Sequence, residues 1–338
     1  MASLMRALII GSRMSASVRR VAVPVPAPGQ VAVDVDRAGI CGTDVELFTR
    51  ELAYFEQGKS AFPLCPGHEW CGTVSAVGAA QDEAWLGVRV TGDTMLGCGR
   101  CRRCAAGNHH VCADRSEIGI TGWPGALAEK LLVPAGSLYR LPDQVDDTAG
   151  ALVEPGGNAL RAVRAAHAGP GRRLLVWGPG SIGLLATAFA SAAGAEVDVA
   201  GLDAQREELA KSFGAARYWT SDSPPPGGYD AVIDCTGHDA VPARALRLVE
   251  PAGTVVYIGL STRPSLVDSR DIALGDITVT GILGASAGLA SAIEHYADGR
   301  VDPHPLAQVV VGLDRAADAL AGHLDTGAGT KIHIDPRR

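Results

Sequence analysis

The sequence predicts an α/β protein in two parts, a β-rich first half followed by a doubly wound parallel sheet. Three observations predict it. The chain has 338 residues, roughly two domains of about 150 residues each. Its first 150 residues carry short apolar runs broken by Gly and Pro, a strand-and-turn composition. From about Leu152, alanine-rich helical stretches alternate with short buried-strand runs, the pattern of βαβ units on a parallel sheet.

In the first half, Ala22–Val25 and Gln30–Val35 read as strands separated by Pro26, Pro28 and Gly29. Thr73–Val77, Val88–Thr91 and Leu131–Val133 continue the pattern. In the second half a helix over Asn158–Ala168 ends at Gly169-Pro170-Gly171, and the strand Leu174–Trp177 leads through a glycine turn into a helix over Ser181–Ala193. Strands Val197–Ala200, Ala231–Asp234, Thr254–Gly259 and Ile277–Ile282 then alternate with helices Ala204–Phe213 and Ala240–Leu248. Ser221–Gly228, with three consecutive prolines, reads as a surface connection, and Ala285–Asp298 as a last helix.

Composition removes several function classes. The apolar fraction, 47%, is that of a globular chain,. A net charge of −7 argues against nucleic acid, which is bound by clustered positive charge. The longest weakly polar stretch, Gly183–Ala195, is short of the roughly 20 residues a bilayer needs, and Met1–Arg20 lacks the long apolar segment of a signal peptide,. A cytoplasmic protein with a small-molecule substrate and neither nucleic-acid nor membrane partner is the expectation.

Four of the eight cysteines, Cys98, Cys101, Cys104 and Cys112, form a C-x2-C-x2-C-x7-C cluster. In a large unsecreted chain such spacing reads as metal binding before it reads as disulfides. Four thiolates close a tetrahedral shell around zinc and leave no position for substrate, so this is expected to be a structural site. Arg100, Arg102, Arg103 and Arg115 offset its charge, and His109 and His110 read as exposed bystanders. An iron–sulfur reading fits less well, because the last spacing is longer than the ferredoxin run and no proline follows Cys112,.

A second, split signal consists of Cys41-Gly42-Thr43-Asp44 and Gly67-His68-Glu69. Singly these read as a buried cysteine and a surface histidine. Together they offer thiolate, imidazole and carboxylate, a mixture suited to a catalytic zinc with one position open. Glu154, in Val-Glu-Pro where the texture changes, is a further carboxylate whose plain reading is a helix cap.

The third signal is Gly178-Pro179-Gly180-Ser181-Ile182-Gly183, after an apolar run and opening a helix. That is the context of a dinucleotide fingerprint, with the diphosphate at a helix N-terminus. The next strand ends in Gly201-Leu202-Asp203. If Gly201 takes the place of the acidic residue that holds a ribose 2′-hydroxyl, Arg206 can reach a 2′-phosphate and NADP is favoured. If Asp203 swings back, NAD is. An aspartate placed at 201 should then shift preference toward NAD.

In this order, Cys-Gly-Thr-Asp, Pro-Gly-His-Glu, the cysteine quartet, the Gly-x-Leu-Ala-Glu segment at Gly125, Val-Glu-Pro and the fingerprint resemble the zinc-dependent medium-chain dehydrogenase/reductase superfamily, in its sorbitol, threonine and sugar dehydrogenase branch. The resemblance implies a GroES-like catalytic domain over 1–150 and 285–338, and a Rossmann domain over 151–284. It implies a catalytic zinc on Cys41 and His68, with Glu69 and Glu154 as further carboxylates, a structural zinc on the quartet, and NAD(P) on Gly178–Gly183, with the 2′-phosphorylated form favoured. Asp44 is implied to fix the tautomer of His68, and Thr43 to pass the substrate proton outward. Where many relatives carry a relay histidine this chain has Glu46, so the relay ends there, at a cofactor ribose or in water. Trp123 is the residue expected to face substrate, its other reading being a packed loop aromatic.

The expected activity is hydride transfer between NAD(P) and a secondary alcohol or ketone, preferably a polyol, sugar or aminocyclitol, in a homodimer or homotetramer. Threonine-type or simple alcohol oxidation is the alternative. A catalytically silent cofactor-binding protein is the remote one, and a bare zinc-ribbon module is too small for this chain.

Overall fold

The computed structural model describes residues 3–327 and 329–338. The chain divides into two compact units, Met1–Glu154 with Tyr296–Asp298 and Pro303–Arg338, and Pro155–His295 with Gly299–Asp302. The helix Leu289–Ala297 therefore begins in the second unit and returns to the first at Tyr296, later than residue 285. Among the described residues no helix is long and apolar enough to cross a membrane.

The first unit contains β1 (Leu4–Ser12), β2 (Ser15–Ala22), β3 (Gln30–Gly39), β4 (Glu69–Val77), β5 (Arg89–Gly92), β6 (Met95–Leu96), β7 (Ser116–Ile118), β8 (Gly122–Trp123), β9 (Lys130–Pro134) and β10 (Leu138–Arg140). The second contains β11 (Arg173–Trp177), β12 (Glu196–Ala200), β13 (Arg217–Trp219), β14 (Tyr229–Asp234), β15 (Val249–Tyr257) and β16 (Thr278–Gly281); β17 (Val309–Gly312) and β18 (Ile332–Asp335) complete the first.

The principal sheet of the first unit runs β10-β5-β4-β3-β18-β17, with β9 also pairing β3. Its register sets Glu69 opposite Gly39 and Gly39 opposite His333. Val31, Val33, Trp70, Val74, Leu127 and Ile334 are among the residues of its core. The hairpin β1–β2 was not foreseen: β2 alternates half-buried Ala16 and Val18 with exposed Ser17 and Arg19, and so few apolar side chains leave a faint period-2 signal. The strand expected over Ala22–Val25 is instead the end of β2, since Pro24 and Pro26 have no N–H to give a ladder,.

The second unit is a six-stranded parallel sheet in the order β13-β12-β11-β14-β15-β16, the doubly wound order 3-2-1-4-5-6 within the unit. Leu174–Val176, Ala231–Ile233 and Val255–Val256 are all buried, as expected of strands covered on both faces. The helix expected over Ala204–Phe213 starts as a 3-10 turn, Ala204–Arg206, and becomes α-helical over Glu207–Ser212. β13 was missed, being three residues long and mostly polar or aromatic.

One polar knot sits in this sheet. Asp198 on β12 has no exposed side-chain surface and accepts hydrogen bonds from Tyr229 Oη (2.8 Å), Trp219 Nε1 (3.0 Å), Arg217 Nε (3.1 Å) and Arg173 Nη2 (3.2 Å). Burial by itself raises its pKa, but these donors outweigh it and hold the carboxyl below the usual aspartate value. A depressed folded-state pKa contributes stability present above the unfolded pKa of about 4 and lost as pH falls through the folded one. Asp198→Ala should cost about 3 kcal/mol in urea unfolding at pH 7, because it strands buried donors, and the deficit should shrink below about pH 4.

Candidate active site

Two chain segments of the first unit converge. Cys41 precedes the helix α1 (Gly42–Thr49), and its N–H donates to Asp44 Oδ2 at 2.9 Å, closing the helix N-terminus,. The other oxygen of the same carboxylate, Oδ1, accepts the N–H of Gly67 at 3.0 Å. Gly67 has φ +102°, and a Cβ there would stand 2.7 Å from the Leu127 nitrogen. His68 follows, its carbonyl held by Thr94 Oγ1 at 3.1 Å, and Glu69 opens β4. Ligand atoms of Cys41, His68 and Glu69 all lie within 4.8 Å of one another.

The electrostatics of this group call for a cation. Burial by itself would drive the proton off His68, but the Asp44 carboxylate and the Cys41 sulfur outweigh it, and the imidazole pKa is raised well above its ordinary value. These donors could hold a divalent metal, which would take the place of that proton,. Nδ1 of His68 lies 3.5 Å from Asp44 Oδ1 and makes no hydrogen bond. Asp44 ties Cys41 to Gly67 through their backbone N–H groups and also faces the His68 imidazole.

The cysteine quartet forms a second group, again with all sulfurs within 4.8 Å. Cys101 Sγ stands 3.6 Å from Cys104 Sγ and 3.8 Å from Cys112 Sγ. Four sulfurs about 2.3 Å from one zinc would stand about 3.8 Å apart, and disulfides about 2 Å. The backbone N–H groups of Arg100 and Cys101 lower the Cys98 thiol pKa to about 6, while desolvation raises that of Cys104 to about 11. The histidines are not bystanders: His109 Nε2 pairs with Asp93 Oδ2 at 2.7 Å, and His110 is buried. Arg103 and Arg115 reach the carbonyls of Val111 and Cys112, and Arg115 also grips Glu117 at 2.7 Å.

In the second unit, Gly178 (φ +100°) turns the chain after β11, and Gly180 stands just before the helix Ser181–Ala192 with nothing near its missing side chain. A Cβ at Gly183 would overlap the Gly178 carbonyl oxygen, so only glycine lets helix and turn approach. Gly178, Gly180, Gly201, Asp203, Arg206 and Tyr218 line one cavity of about 910 Å³. The space a side chain at 201 would need holds the Tyr218 hydroxyl, so an aspartate placed there must first displace that ring. Asp203 is engaged locally, its Oδ1 accepting from the Gln205 N–H at 2.8 Å.

Of the remaining expected residues, Thr43 and Glu46 stand three apart on α1, both half-buried, on one helix face. Burial and then Glu51 raise the Glu46 pKa. Glu154 is buried in the first turn of the helix Val153–Ala165 and falls outside the close group of Cys41, His68 and Glu69. Trp123 donates its indole N–H to the Leu132 carbonyl at 2.7 Å and lines a cavity of about 660 Å³ to which Cys41, His68 and Glu69 do not contribute. Lys331 and Tyr218 escaped the sequence reading, because neither sits in a motif.

Residues 27–143 match the family model of the alcohol dehydrogenase GroES-like domain, and 181–298 that of the zinc-binding dehydrogenases. The chain is 31% identical over 293 residues to an L-threonine 3-dehydrogenase of Anaeromyxobacter sp. (strain K), covering 83% of this chain and 84% of that one. Among solved structures, a protein described as a zinc-binding dehydrogenase from Sinorhizobium meliloti 1021, bound to NADP, superposes with a TM-score of 0.90 at 31% identity over 99% of this chain and 100% of that one. An alcohol dehydrogenase from Escherichia coli CFT073 complexed with NADH gives 0.91 at 26%, over 98% and 99%. The chain belongs to the zinc-type medium-chain dehydrogenase/reductase family and is an oxidoreductase of the alcohol-dehydrogenase type.

Gly67→Ala should destabilise the chain by about 3 kcal/mol, since it combines a positive φ with a backbone clash. Urea unfolding measures the loss.

Proposed function

We propose that the chain oxidises a secondary alcohol on a small polyhydroxylated molecule (a polyol, sugar or aminocyclitol), with zinc on Cys41, His68 and Glu69 and NADP as the hydride acceptor. The observation that carries this is the close grouping of those three donors in a chain that also carries the dinucleotide turn. Three protein ligands leave a fourth position for substrate. When bound, zinc supplies Lewis acidity to the substrate oxygen, and the nicotinamide takes the hydride.

The protein's own residues do the rest. Thr43 is placed in the first turn of α1 to accept the hydroxyl proton and hand it on. Glu46, one turn later and with a raised pKa, is the next acceptor, in place of the relay histidine of many relatives. The quartet carries a structural zinc that folds its loop. Glu154 contributes charge from outside the ligand set. Preference for NADP follows from three features: Tyr218 where a carboxylate at 201 would stand, Asp203 turned to the Gln205 N–H, and Arg206 in the same cavity. The likeness to L-threonine 3-dehydrogenases favours threonine as a second reading, and a dimer or tetramer is the proposed assembly.

Elemental analysis should find two zinc ions per chain, falling to one in Cys41→Ser. A single ion in the unaltered protein overturns one of the two sites. Assays at 340 nm should show turnover of polyols, sugars or aminocyclitols faster with NADP than with NAD, and turnover of L-threonine alone would select the second reading. Arg206→Ala should cut kcat/KM for NADP about tenfold, the worth of one charged hydrogen bond, and leave NAD nearly unchanged.

A further inference from the structure

The cavity beside Trp123 lies wholly within the first unit, and none of Cys41, Thr43, His68 and Glu69 lines it. Its volume, about 660 Å³, falls in the range of roughly 300–1,000 Å³ typical of sites for small organic ligands. One wall is a face of the β1–β2 hairpin, whose register sets Met5 opposite Val21 and Ala7 opposite Arg19. Cross-strand partners share a face, so these four side chains point the same way, while Leu8 and Ile10 on the opposite face belong to the core. Leu64, Ile120 and Leu132 extend the apolar lining. The walls are tied to one another: Ser60 Oγ donates to the Ile120 carbonyl at 2.8 Å, Thr121 Oγ1 to the Lys59 carbonyl, and the Gly125 N–H to the Cys65 carbonyl at 2.9 Å. The Trp123 ring is held by its own bond to the Leu132 carbonyl.

Charge around this hollow has one sign. Arg19, Lys59 and Lys130 line it, and no carboxylate does. Lys130 is paired with Asp34. Among the described residues the other two make no ion pair: Arg19 uses Nε on Ser17 Oγ at 3.3 Å, and the Lys59 ammonium stands 5.0 Å from the centre of the Tyr54 ring. Both side chains are exposed, which puts their charges at the mouth. The Arg19 guanidinium rests over Gly11, where a Cβ would stand 2.9 Å from Nη2, so its two terminal nitrogens are left without a protein acceptor. A planar guanidinium fork matches the two oxygens of a carboxylate. Two unpaired cations at the mouth of an apolar hollow, in a chain of net charge −7, call for a ligand that is apolar along its length and anionic at one end.

We propose that this cavity is a second ligand site, separate from the metal-donor group, and that it takes a medium-length alkyl carboxylate. The chain lies against the hairpin face and Trp123, where its burial supplies the hydrophobic part of the affinity. The head is held by Arg19, with Lys59 adding a second positive charge.

The test titrates the full-length protein with decanoate, followed by calorimetry and by tryptophan fluorescence. Decanoate should bind at one site per chain with a sub-millimolar Kd, and the fluorescence change should vanish in Trp123→Phe. Arg19→Ala should weaken binding about tenfold, the worth of one charged hydrogen bond, and Lys59→Ala by a smaller factor. Decanol, which has the chain without the charge, should bind at least tenfold more weakly. Val21→Trp, which fills the hollow, should abolish binding; the two exposed cations carry the test if that variant does not fold. Absence of binding, equal binding of decanol, or unaltered binding in both Arg19→Ala and Lys59→Ala overturns the proposal. So does displacement of decanoate by NADP, which places it in the cavity beside Gly178, and so does tighter binding of decyl phosphate than of decanoate. A changed molecular mass in Val21→Trp with decanoate binding intact assigns the hollow to a second copy of the chain and overturns it as well.

Discussion

The two oxygens of the Asp44 carboxylate hold the site together. Each accepts one backbone N–H, from Cys41 and from Gly67, residues far apart in sequence that must meet for one ion to touch both. Asp44 is fully buried, where an unpaired carboxylate would be expensive, so the convergence of the two segments and the burial of the charge sustain each other. The left-handed backbone at Gly67 and the tight approach to Leu127 then turn His68 to follow. The donors stand grouped in a frame that backbone hydrogen bonds have already drawn.

Around that frame, charges are nested in layers. Asp44 lies beside Cys41, His68 and Glu69, and Lys331 stands behind Glu69. Glu69 has one oxygen held by Lys331 and the other without a donor, packed over Gly39, its cross-strand partner, where a side chain would overlap it. The second unit solves its own problem of charge by similar means. The Asp198 knot gathers donors from four residues into the sheet, while the glycine turn offers the open backbone on which a diphosphate can rest.

Much of this was legible beforehand where chemistry is local. The quartet is a matter of spacing, and the fingerprint of a strand, a turn and a helix in immediate succession. Strands β11, β12, β14 and β15 of the second unit stood out because parallel strands covered on both faces are continuously apolar,. Strands with one partly solvated face were harder: β2 and β13 carry Arg, Ser and Tyr and gave little period-2 contrast. The indole N–H of Trp123 donates to the Leu132 carbonyl, a partner no motif announces.

By itself the sequence determined the fold class, the cysteine quartet and the glycine turn between strand and helix, because each depends on neighbours a few residues away or on periodicity. Only the tertiary structure decided which carboxylate joins Cys41 and His68, that Tyr218 occupies the space beside Gly201, and that Lys331 stands behind Glu69. Those pairings join residues scattered along the chain, and strand register and helix placement, not spacing, bring them within reach of one another.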